Sequence, residues 1–274
     1  MDRVCKELGL PRICDDVGVT GSGITIAVLD TGIGRHPDLK GKTLLFKDFV
    51  EQKKHLYDDN GHGSHIGGII CGSGQMSGGK YAGIAPGASL VVGKVLDRAG
   101  GGKVDDTIEG LQWILDIRKE YNIRIINLSI GIADLKDAQK KLTLERMIDK
   151  CWKEGLLVVT AAGNNCKEYT AKSLSGKKGN AIVVGTIEGG PCNPDMIAWG
   201  KDIMSCDLRR GYTRKSGSSM ATPIVSGCAA LLWEKEKLLT NKQLKERLKA
   251  TALDVKLPWH IQGWGMINLR KLLT

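Results

Sequence analysis

The sequence has no long hydrophobic segment. None of its apolar runs approaches the roughly 18 to 20 residues that a membrane-spanning helix requires. The N-terminal stretch MDRVCKELGL also has no apolar segment that could serve as a secretory signal. We therefore expect a cytoplasmic protein that does not insert into membranes, with the mature form of a secreted protein as the alternative.

Cysteine motifs typical of zinc and redox sites are missing. The eight cysteines form no CxxC pair, and several lie inside apolar runs such as IVSGCAALL and GGIICG. Their even number would allow disulfides in a secreted protein. Scattered cysteines in apolar runs are more typical of free buried thiols, which is the interpretation we adopt, and no metal site is expected.

Signatures of nucleic-acid binding are also missing. The formal net charge is +10, but the basic residues are spread over many segments and usually alternate with Glu or Asp. There is no zinc finger, basic helix or RNP-like aromatic pattern. We expect a solvated surface and no nucleic-acid partner, and a basic nucleic-acid binder stays the third functional hypothesis. One local cluster, formed by Arg209, Arg210, Arg214 and Lys215, could favour acidic partners.

Glycine is the abundant residue. The 36 glycines contrast with two phenylalanines and five tyrosines, which indicates tight turns and functional groups carried on loops. No internal repeat, low-complexity tract or proline-rich linker divides the chain. The sequence therefore predicts a single domain over residues 1–274.

Apolar segments of strand length alternate with amphipathic helices. The segments are 23–30, 89–96, 124–130, 156–162 and 180–186. They are nearly continuous in apolar character, as strands covered on both faces should be. Helical periodicity follows over 104–121 and 138–152, and a capping box opens a helix at Thr240. We predict an α/β fold of three layers, with a mainly parallel central sheet and helices on both faces.

Polar residues follow the predicted strands. Asp30 ends the first strand, the strand at 124–130 runs into Ser129, Ile130 and Gly131, and Gly163 and Asn164 follow the one at 156–162. Functional groups of an open parallel sheet gather beyond the carboxyl ends of its strands. These residues should therefore lie along one edge of the sheet.

Asp30 closes an apolar run and so needs a partner that stabilises its charge. His62 opens a segment of small and apolar residues that is typical of a buried helix, so its ring could face Asp30. His65, one turn further, is expected to pack or to form a structural hydrogen bond. The other histidines are His36, His55 and His260.

Ser218 and Ser219 precede MATPIVSGCAALLW, which is typical of a buried helix. Pro223 is compatible with this helix only near its first turn. A hydroxyl at a helix start lies beside unpaired backbone N–H groups that can stabilise an oxyanion. Serine also needs a base that accepts its proton. Asp30, His62 and a serine could together supply such a relay.

Four segments in this order resemble the signature segments of the subtilisin-like serine peptidases. They are AVLDTGI around Asp30, GHGSHIGG around His62, AAGN ending at Asn164 and SGSSMATP around Ser219. The resemblance extends from about Val19 to the C-terminal segment. It implies a subtilisin-like fold and a serine endopeptidase that acts through an acyl-enzyme, with Ser219 as the nucleophile and Ser218 as its neighbour.

The resemblance also implies further roles. Asn164 would be the side-chain donor to the oxyanion. The substrate would be a polypeptide bound as an extended strand, and the enzyme a monomer. The implied substrate-binding residues are Gly100, Gly101, Gly102, Ser129, Ile130 and Gly131 as two backbone rails, and Ala161, Ala162 and Gly163 as the wall of a pocket.

Calcium binding is the least supported implication. The loop 75–81, QMSGGKY, corresponds to the calcium loop of many relatives, with Asp38 as a carboxylate ligand. It contains a lysine and no acidic residue. We therefore expect no required cofactor and leave calcium open. A catalytically silent peptide-binding or scaffold protein of the same fold is the second functional hypothesis.

Overall fold

The computed structural model describes residues 1–130, 137–163, 179–190 and 192–274, apart from the side chain of Pro11. The strands in these ranges are β1 (Thr25–Asp30), β2 (Thr43–Asp48), β3 (Ser89–Lys94), β4 (Ile123–Leu128), β5 (Leu157–Ala161), β6 (Ile182–Thr186), β7 (Met196–Ala198), β8 (Ile203–Cys206) and β9 (Tyr212–Lys215). The α-helices are α1 (Asp2–Leu8), α2 (Leu10–Val17), α3 (His62–Cys71), α4 (Val104–Ile117), α5 (Ala138–Lys153), α6 (Ser218–Lys235), α7 (Asn241–Thr251), α8 (Trp259–Gln262) and α9 (Leu269–Leu273).

Seven strands form one parallel sheet in the order β2-β3-β1-β4-β5-β6-β7. The five strands predicted from the sequence are all present, each within two residues of its expected bounds. Strands β8 and β9 form a separate antiparallel hairpin. The mainly parallel sheet expected from the continuous apolar runs is therefore confirmed.

Helices cover both faces of this sheet. In β1, Ile26 and Val28 belong to the core that α3 and α6 share, whereas Ala27 and Leu29 belong to the core that α4 and α5 share. This alternation follows the two-residue period of a strand. Both faces are apolar, which explains why β1 is buried along its whole length, and the predicted three layers are confirmed.

The site is positioned by the strand order. Strand β1 lies between β3 and β4, so the chain continues from β1 to one side of the sheet and later returns to the other. A crevice forms beyond the carboxyl ends of the strands at such a switch point. Asp30 is the last residue of β1 and Ser129 directly follows β4, which places both residues at this crevice.

The cysteines require one correction. The free cysteines are Cys5, Cys14, Cys71, Cys151, Cys206 and Cys228. Cys192, in contrast, is disulfide-bonded, so the free-thiol interpretation was wrong for this residue. Cys5 and Cys14 are also only partly buried.

Over the described ranges, the structure contains no helix with both the length and the apolar character needed to cross a membrane.

Candidate active site

The Asp30 carboxylate contacts the His62 ring. Asp30 is fully buried at the end of β1. Its Oδ1 atom lies 2.7 Å from His62 Nδ1 and accepts a second hydrogen bond, also of 2.7 Å, from the backbone N–H of Thr31. The carboxylate therefore fixes the orientation of the imidazole and holds a proton on Nδ1, which leaves Nε2 free to accept one.

A close backbone contact brings His62 to Asp30. Helix α3 begins at His62, and a Cβ atom on Gly63 would lie 2.0 Å from the carbonyl oxygen of Gly32. Only glycine permits this approach. The Gly63 N–H also donates a 2.9 Å hydrogen bond to Thr31 Oγ1. The glycine after the histidine thus determines how closely α3 approaches the end of β1.

Asp58 holds the first turn of α3. One carboxylate oxygen accepts from the backbone N–H of Gly61 and from Thr31 Oγ1, and the other accepts from both the N–H and the hydroxyl of Ser64. Burial alone would raise the pKa of this carboxyl, but the hydrogen bonds, with that from the Ser64 hydroxyl foremost, lower it below its ordinary value. Asp58 therefore stays ionised and connects His62's helix to the residue after Asp30.

Lys94 is buried beneath the same region and donates hydrogen bonds to it. Its side chain is fully buried, and Nζ donates to the carbonyl oxygens of Thr31 and Leu96 at 2.9 and 2.8 Å and to Asp59 Oδ1 at 2.7 Å. Sequence reasoning missed Lys94, Asp58 and Asp59. The signal was a lysine inside the apolar run SLVVGKVL, because a buried ammonium requires a charged partner.

Two histidines one turn apart have opposite pKa shifts. Burial by itself disfavours the charged form of His62, but the charge of Asp30 and its hydrogen bond outweigh burial and raise the pKa above the ordinary value. For His65, burial and then the charge of Lys215 lower the pKa to about 3. His65 Nε2 donates to the carbonyl oxygens of Ile203 and Thr213. His65 is therefore the structural histidine and His62 the titrating one.

Ser219 lies in the first turn of α6 and contacts Ser129 twice. Its hydroxyl donates to the Ser129 carbonyl oxygen at 3.0 Å, and the Ser129 hydroxyl donates to the Ser219 carbonyl oxygen at 3.1 Å. The second contact follows from Pro223. Proline has no N–H, so it cannot form the helical bond to the carbonyl four residues earlier. The Ser219 carbonyl is thus left open to Ser129.

A buried polar chain fixes Ser129 from behind. The Asn127 side-chain amide donates to Ser129 Oγ at 2.8 Å, and Ser226 Oγ donates to Asn127 Oδ1 at 2.9 Å. Asn127 and Ser226 are fully buried on β4 and α6. The Ser129 hydroxyl therefore has a defined orientation, and it donates its hydrogen bond to the Ser219 carbonyl oxygen, which fixes the backbone at that residue.

His62 and Ser219 line one cleft of about 560 Å³. Among the residues that share it are Gly100, Gly101, Gly102, Ser129 and Ile130, which the sequence predicts as substrate-binding residues. The structure thus brings together Asp30, His62, Ser219 and these five residues. Within the described part of the chain, no hydrogen bond joins Ser219 Oγ to His62 Nε2.

The remaining predicted residues are placed differently. Asn164 and Gly131 lie outside the described residues. Ala161 and Ala162 are buried at the end of β5, and Gly163 lines a second cavity of about 500 Å³ together with Cys192. The Gly163 N–H donates to the hydroxyl of Ser218 at 3.1 Å, which links the end of β5 to the start of α6.

Both carboxylate oxygens of Asp38 accept hydrogen bonds from protein groups, whereas the oxygens of a calcium ligand would contact the cation. Its Oδ1 accepts from the N–H of Met76 at 3.0 Å, and its Oδ2 accepts from the Tyr212 hydroxyl at 2.6 Å. Loop 75–81 supplies this N–H donor and no carboxylate. Calcium requires several oxygen acceptors around it, so these residues do not fit a calcium ion.

His36, Asp38 and Cys206 form a buried group whose potential ligand atoms lie within 4.8 Å of one another. The His36 ring is already engaged, since Nδ1 accepts from the Asp38 N–H and Nε2 donates to the Gly211 carbonyl oxygen. Both carboxylate oxygens of Asp38 are engaged as well. These contacts describe a structural cluster rather than a metal site.

Comparison with known proteins gives consistent matches. A model of the subtilase family matches residues 21–265. Serine protease AprX of Bacillus subtilis (strain 168) is 35% identical over 271 residues, which cover 84% of this chain and 61% of AprX. Subtilisin Savinase of Lederbergia lenta is 34% identical over 262 residues, covering 92% of this chain and 91% of Savinase. The chain thus spans less than two thirds of AprX but most of Savinase.

Two solved structures share the architecture. Sphericase superposes with a TM-score of 0.79 at 28% identity, covering 91% of this chain and 92% of its own. A cold-adapted subtilisin-like serine proteinase superposes with a TM-score of 0.72 at 29% identity, covering 91% and 88%. These similarities agree with the three layers described above.

Proposed function

This chain belongs to the subtilase family, and we propose on that premise that it is a serine endopeptidase in which Asp30, His62 and Ser219 act together. The observation that carries the proposal is the 2.7 Å contact between Asp30 and His62 at the edge of the cleft that Ser219 also lines. Its substrates are polypeptides.

Proton transfer depends on the His62 tautomer. Asp30 accepts the Nδ1 proton, so Nε2 is the basic nitrogen that faces the cleft. Ser219 first leaves the Ser129 carbonyl oxygen by rotating about its Cα–Cβ bond, and it then donates to Nε2. As the serine oxygen bonds to the substrate carbonyl carbon, its proton passes to His62, and Asp30 stabilises the imidazolium that forms.

The carbonyl oxygen of the substrate becomes negatively charged in this step. The backbone N–H of Ser219, in the first turn of α6, has no helical partner and can donate to it. Asn164 is assigned the second donation from its resemblance to the family motif. His62 then gives its proton to the departing amine, and the acyl-enzyme forms. In the second half of the reaction, His62 accepts a proton from water, whose oxygen bonds to the acyl carbon, and it then gives this proton to the oxygen of Ser219 as the acyl part is released.

The substrate lies as an extended strand between Gly100–Gly102 and Ser129–Gly131. Of these residues, Gly100, Gly101, Gly102, Ser129 and Ile130 line the cleft, and backbone groups give affinity that does not depend on sequence. Ser129 then has two roles, because the carbonyl oxygen that accepts from Ser219 is also an acceptor for a substrate N–H.

Covalent labelling tests the proposal. A fluorophosphonate probe should label the unmodified enzyme at Ser219, and Ser219→Ala should abolish both labelling and peptide cleavage without changing the thermal unfolding curve. Ser218→Ala is the matched control, since its hydroxyl accepts from Gly163 and is not the assigned nucleophile. Labelling that survives in Ser219→Ala would refute the assignment.

A silent scaffold of the same fold is the competing function. It predicts peptide binding without labelling or cleavage by the unmodified chain. The Asp30–His62 contact favours the enzyme, because a binding protein has no need of an oriented, titrating imidazole in its cleft.

The proposal includes no cofactor, a monomer and a cytoplasmic location. The six cysteines that are free in the described ranges support a reducing compartment, and the disulfide at Cys192 counts against it. Fractionation of cells that express the untagged protein, followed by immunodetection, tests the location directly. Recovery from the medium would favour the secreted alternative.

A further inference from the structure

The β8–β9 hairpin packs against α3, the helix that begins at His62. Leu208, in the turn of the hairpin, packs on Gly34 and Gly61: a Cβ on either glycine would lie 3.0 or 3.1 Å from its side chain. His65 fastens the same hairpin to α3. None of the described residues that line the main cleft belongs to this hairpin. The hairpin therefore lies next to the catalytic groups but outside the cleft.

If the proposed function holds, the location of the hairpin bears on the path of the substrate segment that leaves after cleavage. The acyl part of the substrate occupies the cleft, and His62 protonates the amine of the part that leaves. The leaving segment must emerge on the other side of Ser219 and His62. The hairpin and the Gly34–Gly41 segment after β1 both contact the start of α3 outside the cleft, through Leu208 on Gly61 and through the Gly34 N–H, which donates to Ser64 Oγ at 2.8 Å.

A cavity of about 550 Å³ lies between these two elements. Arg35, Lys40 and Arg210 line it, and its lining contains no Asp or Glu. All three side chains are exposed, and in the described part of the chain none of them forms an ion pair. Three unneutralised cations around one cavity create a positive potential, which attracts anionic groups.

In the described part of the chain, no carboxylate pairs with these three cations. Asp38 is buried and Asp58 is half-buried, and the oxygens of both accept hydrogen bonds from internal donors. The hairpin turn DLRRG contains Asp207 against two arginines, and Arg214 and Lys215 follow on β9. The charge of Lys215 reaches the catalytic histidine, since it partly opposes the rise in the pKa of His62 that Asp30 causes. Positive charge therefore extends from the cavity to the catalytic groups.

We propose that this cationic leaving-side surface, formed by Arg35, Lys40, Arg210 and Lys215, binds acidic side chains of the substrate after the cleaved bond. The enzyme is then selective for polypeptides that carry Asp or Glu within the first few residues of the leaving segment. Exposed ion pairs are weak one by one, at about two- to fivefold in affinity each. Two or three pairs together give about a tenfold preference.

The test uses fluorogenic peptides with one common acyl-side sequence. Residues two to four after the cleaved bond are Glu, Gln or Lys in three matched peptides. At low salt we expect kcat/KM to fall from Glu to Gln to Lys, with about a tenfold span. Near 1 M salt, where the screening length is about 3 Å, the span should shrink to less than about twofold.

Arg210→Glu and Arg35→Glu supply the residue-level test. Each should reduce the preference for the Glu peptide, and the double variant should prefer the Lys peptide. Lys237→Glu is the matched control, because Lys237 is exposed just beyond the far end of α6, roughly 25 Å from Ser219 along the helix axis. It makes the same charge change and should leave the preference intact.

Two results would overturn this inference while leaving the proposed function standing. One is equal cleavage of the three peptides at low salt by the unmodified enzyme. The other is a preference for Glu that persists in the double variant, or that Lys237→Glu reduces equally. If the proposed function itself is wrong, no peptide is cleaved and the fluorophosphonate probe does not label Ser219. Equal labelling rates across the variants show that they are folded.

Discussion

The Ser219 hydroxyl donates its hydrogen bond to the Ser129 carbonyl oxygen, at 3.0 Å, and not to His62. The nucleophile of the free enzyme therefore occupies an acceptor that the proposed substrate strand also uses. In the proposed mechanism, a substrate N–H that donates to Ser129 competes with the serine hydroxyl, which then donates to His62 Nε2 instead. In this mechanism, substrate binding and activation of the nucleophile are coupled through one oxygen atom, the carbonyl oxygen of Ser129.

Backbone methylation of the substrate tests this coupling. Replacing the N–H of the residue before the cleaved bond by N–CH₃ removes the competitor for Ser129. We expect kcat to fall by about tenfold, the value of one hydrogen bond. Steady-state kinetics on the matched peptides measures this. Methylation three residues after the cleaved bond is the control. A change confined to KM would contradict the coupling.

The pH profile should respond in opposite directions to two substitutions. His62 must be neutral to act as a base, so its raised pKa places the acid limb of kcat/KM above the ordinary pKa of a histidine, 6.5. Lys215→Gln removes a charge that lowers this pKa, so the acid limb should move to higher pH. Asp30→Asn removes the charge that raises it, so the limb should move to lower pH while kcat falls by about 10⁴-fold.

These shifts are measured with one peptide over the range in which the enzyme stays folded. Lys237→Glu serves again as the remote charge control. Acid limbs that coincide in the unmodified enzyme and in Lys215→Gln would show that this lysine does not act on His62.

Chelation should leave the enzyme unaffected. The Asp38 carboxylate accepts hydrogen bonds from Met76 and Tyr212, so excess EDTA should change neither the melting temperature nor the activity.

Tyr212→Phe deletes the 2.6 Å donor and leaves a buried carboxylate oxygen unpaired, which should cost about 2 kcal/mol of the free energy of unfolding. A melting temperature that falls on chelation and recovers with added calcium would contradict our account of this loop.

Lys94→Met should destabilise the protein by about 3 kcal/mol, because Asp59 and two buried carbonyl oxygens lose their donor. Labelling of Ser219 should also slow, since Thr31 lies between Lys94 and the catalytic aspartate. Urea unfolding and the labelling rate measure the two effects. Lys54→Met, an exposed change in the neighbouring loop, is the control. Equal stability of the two variants would refute the role assigned to Lys94.

The sequence predicts the buried part of this fold better than its periphery. Strands β1 and β3 to β6 are visible because both of their faces are apolar. Strand β2 was missed because it is an edge strand, half-exposed over most of its length. The β8–β9 hairpin was missed because polar residues obscure its alternation, and α1 and α2 because each spans only about two turns.

The candidate site divides in a similar way. Asp30 and His62 can be paired from the sequence because each is a polar group at the edge of an apolar segment. The orientation of Ser219 cannot be predicted, since its acceptor belongs to Ser129 on another element. Asp58 and Lys94 were missed for the same reason, because their partners are distant in the chain and come together only in the folded sheet.

The proposed catalytic groups lie far apart in the chain, and this has a consequence for when the site forms during synthesis. During synthesis, Asp30 and His62 are made long before Ser219, which lies on a helix that packs against β4, β5, β6 and β7. Under the proposed function, a growing or partly folded chain therefore has no assembled catalytic site with which to cleave itself or its neighbours. The three catalytic groups come together only when α6, which carries Ser219, packs on the sheet.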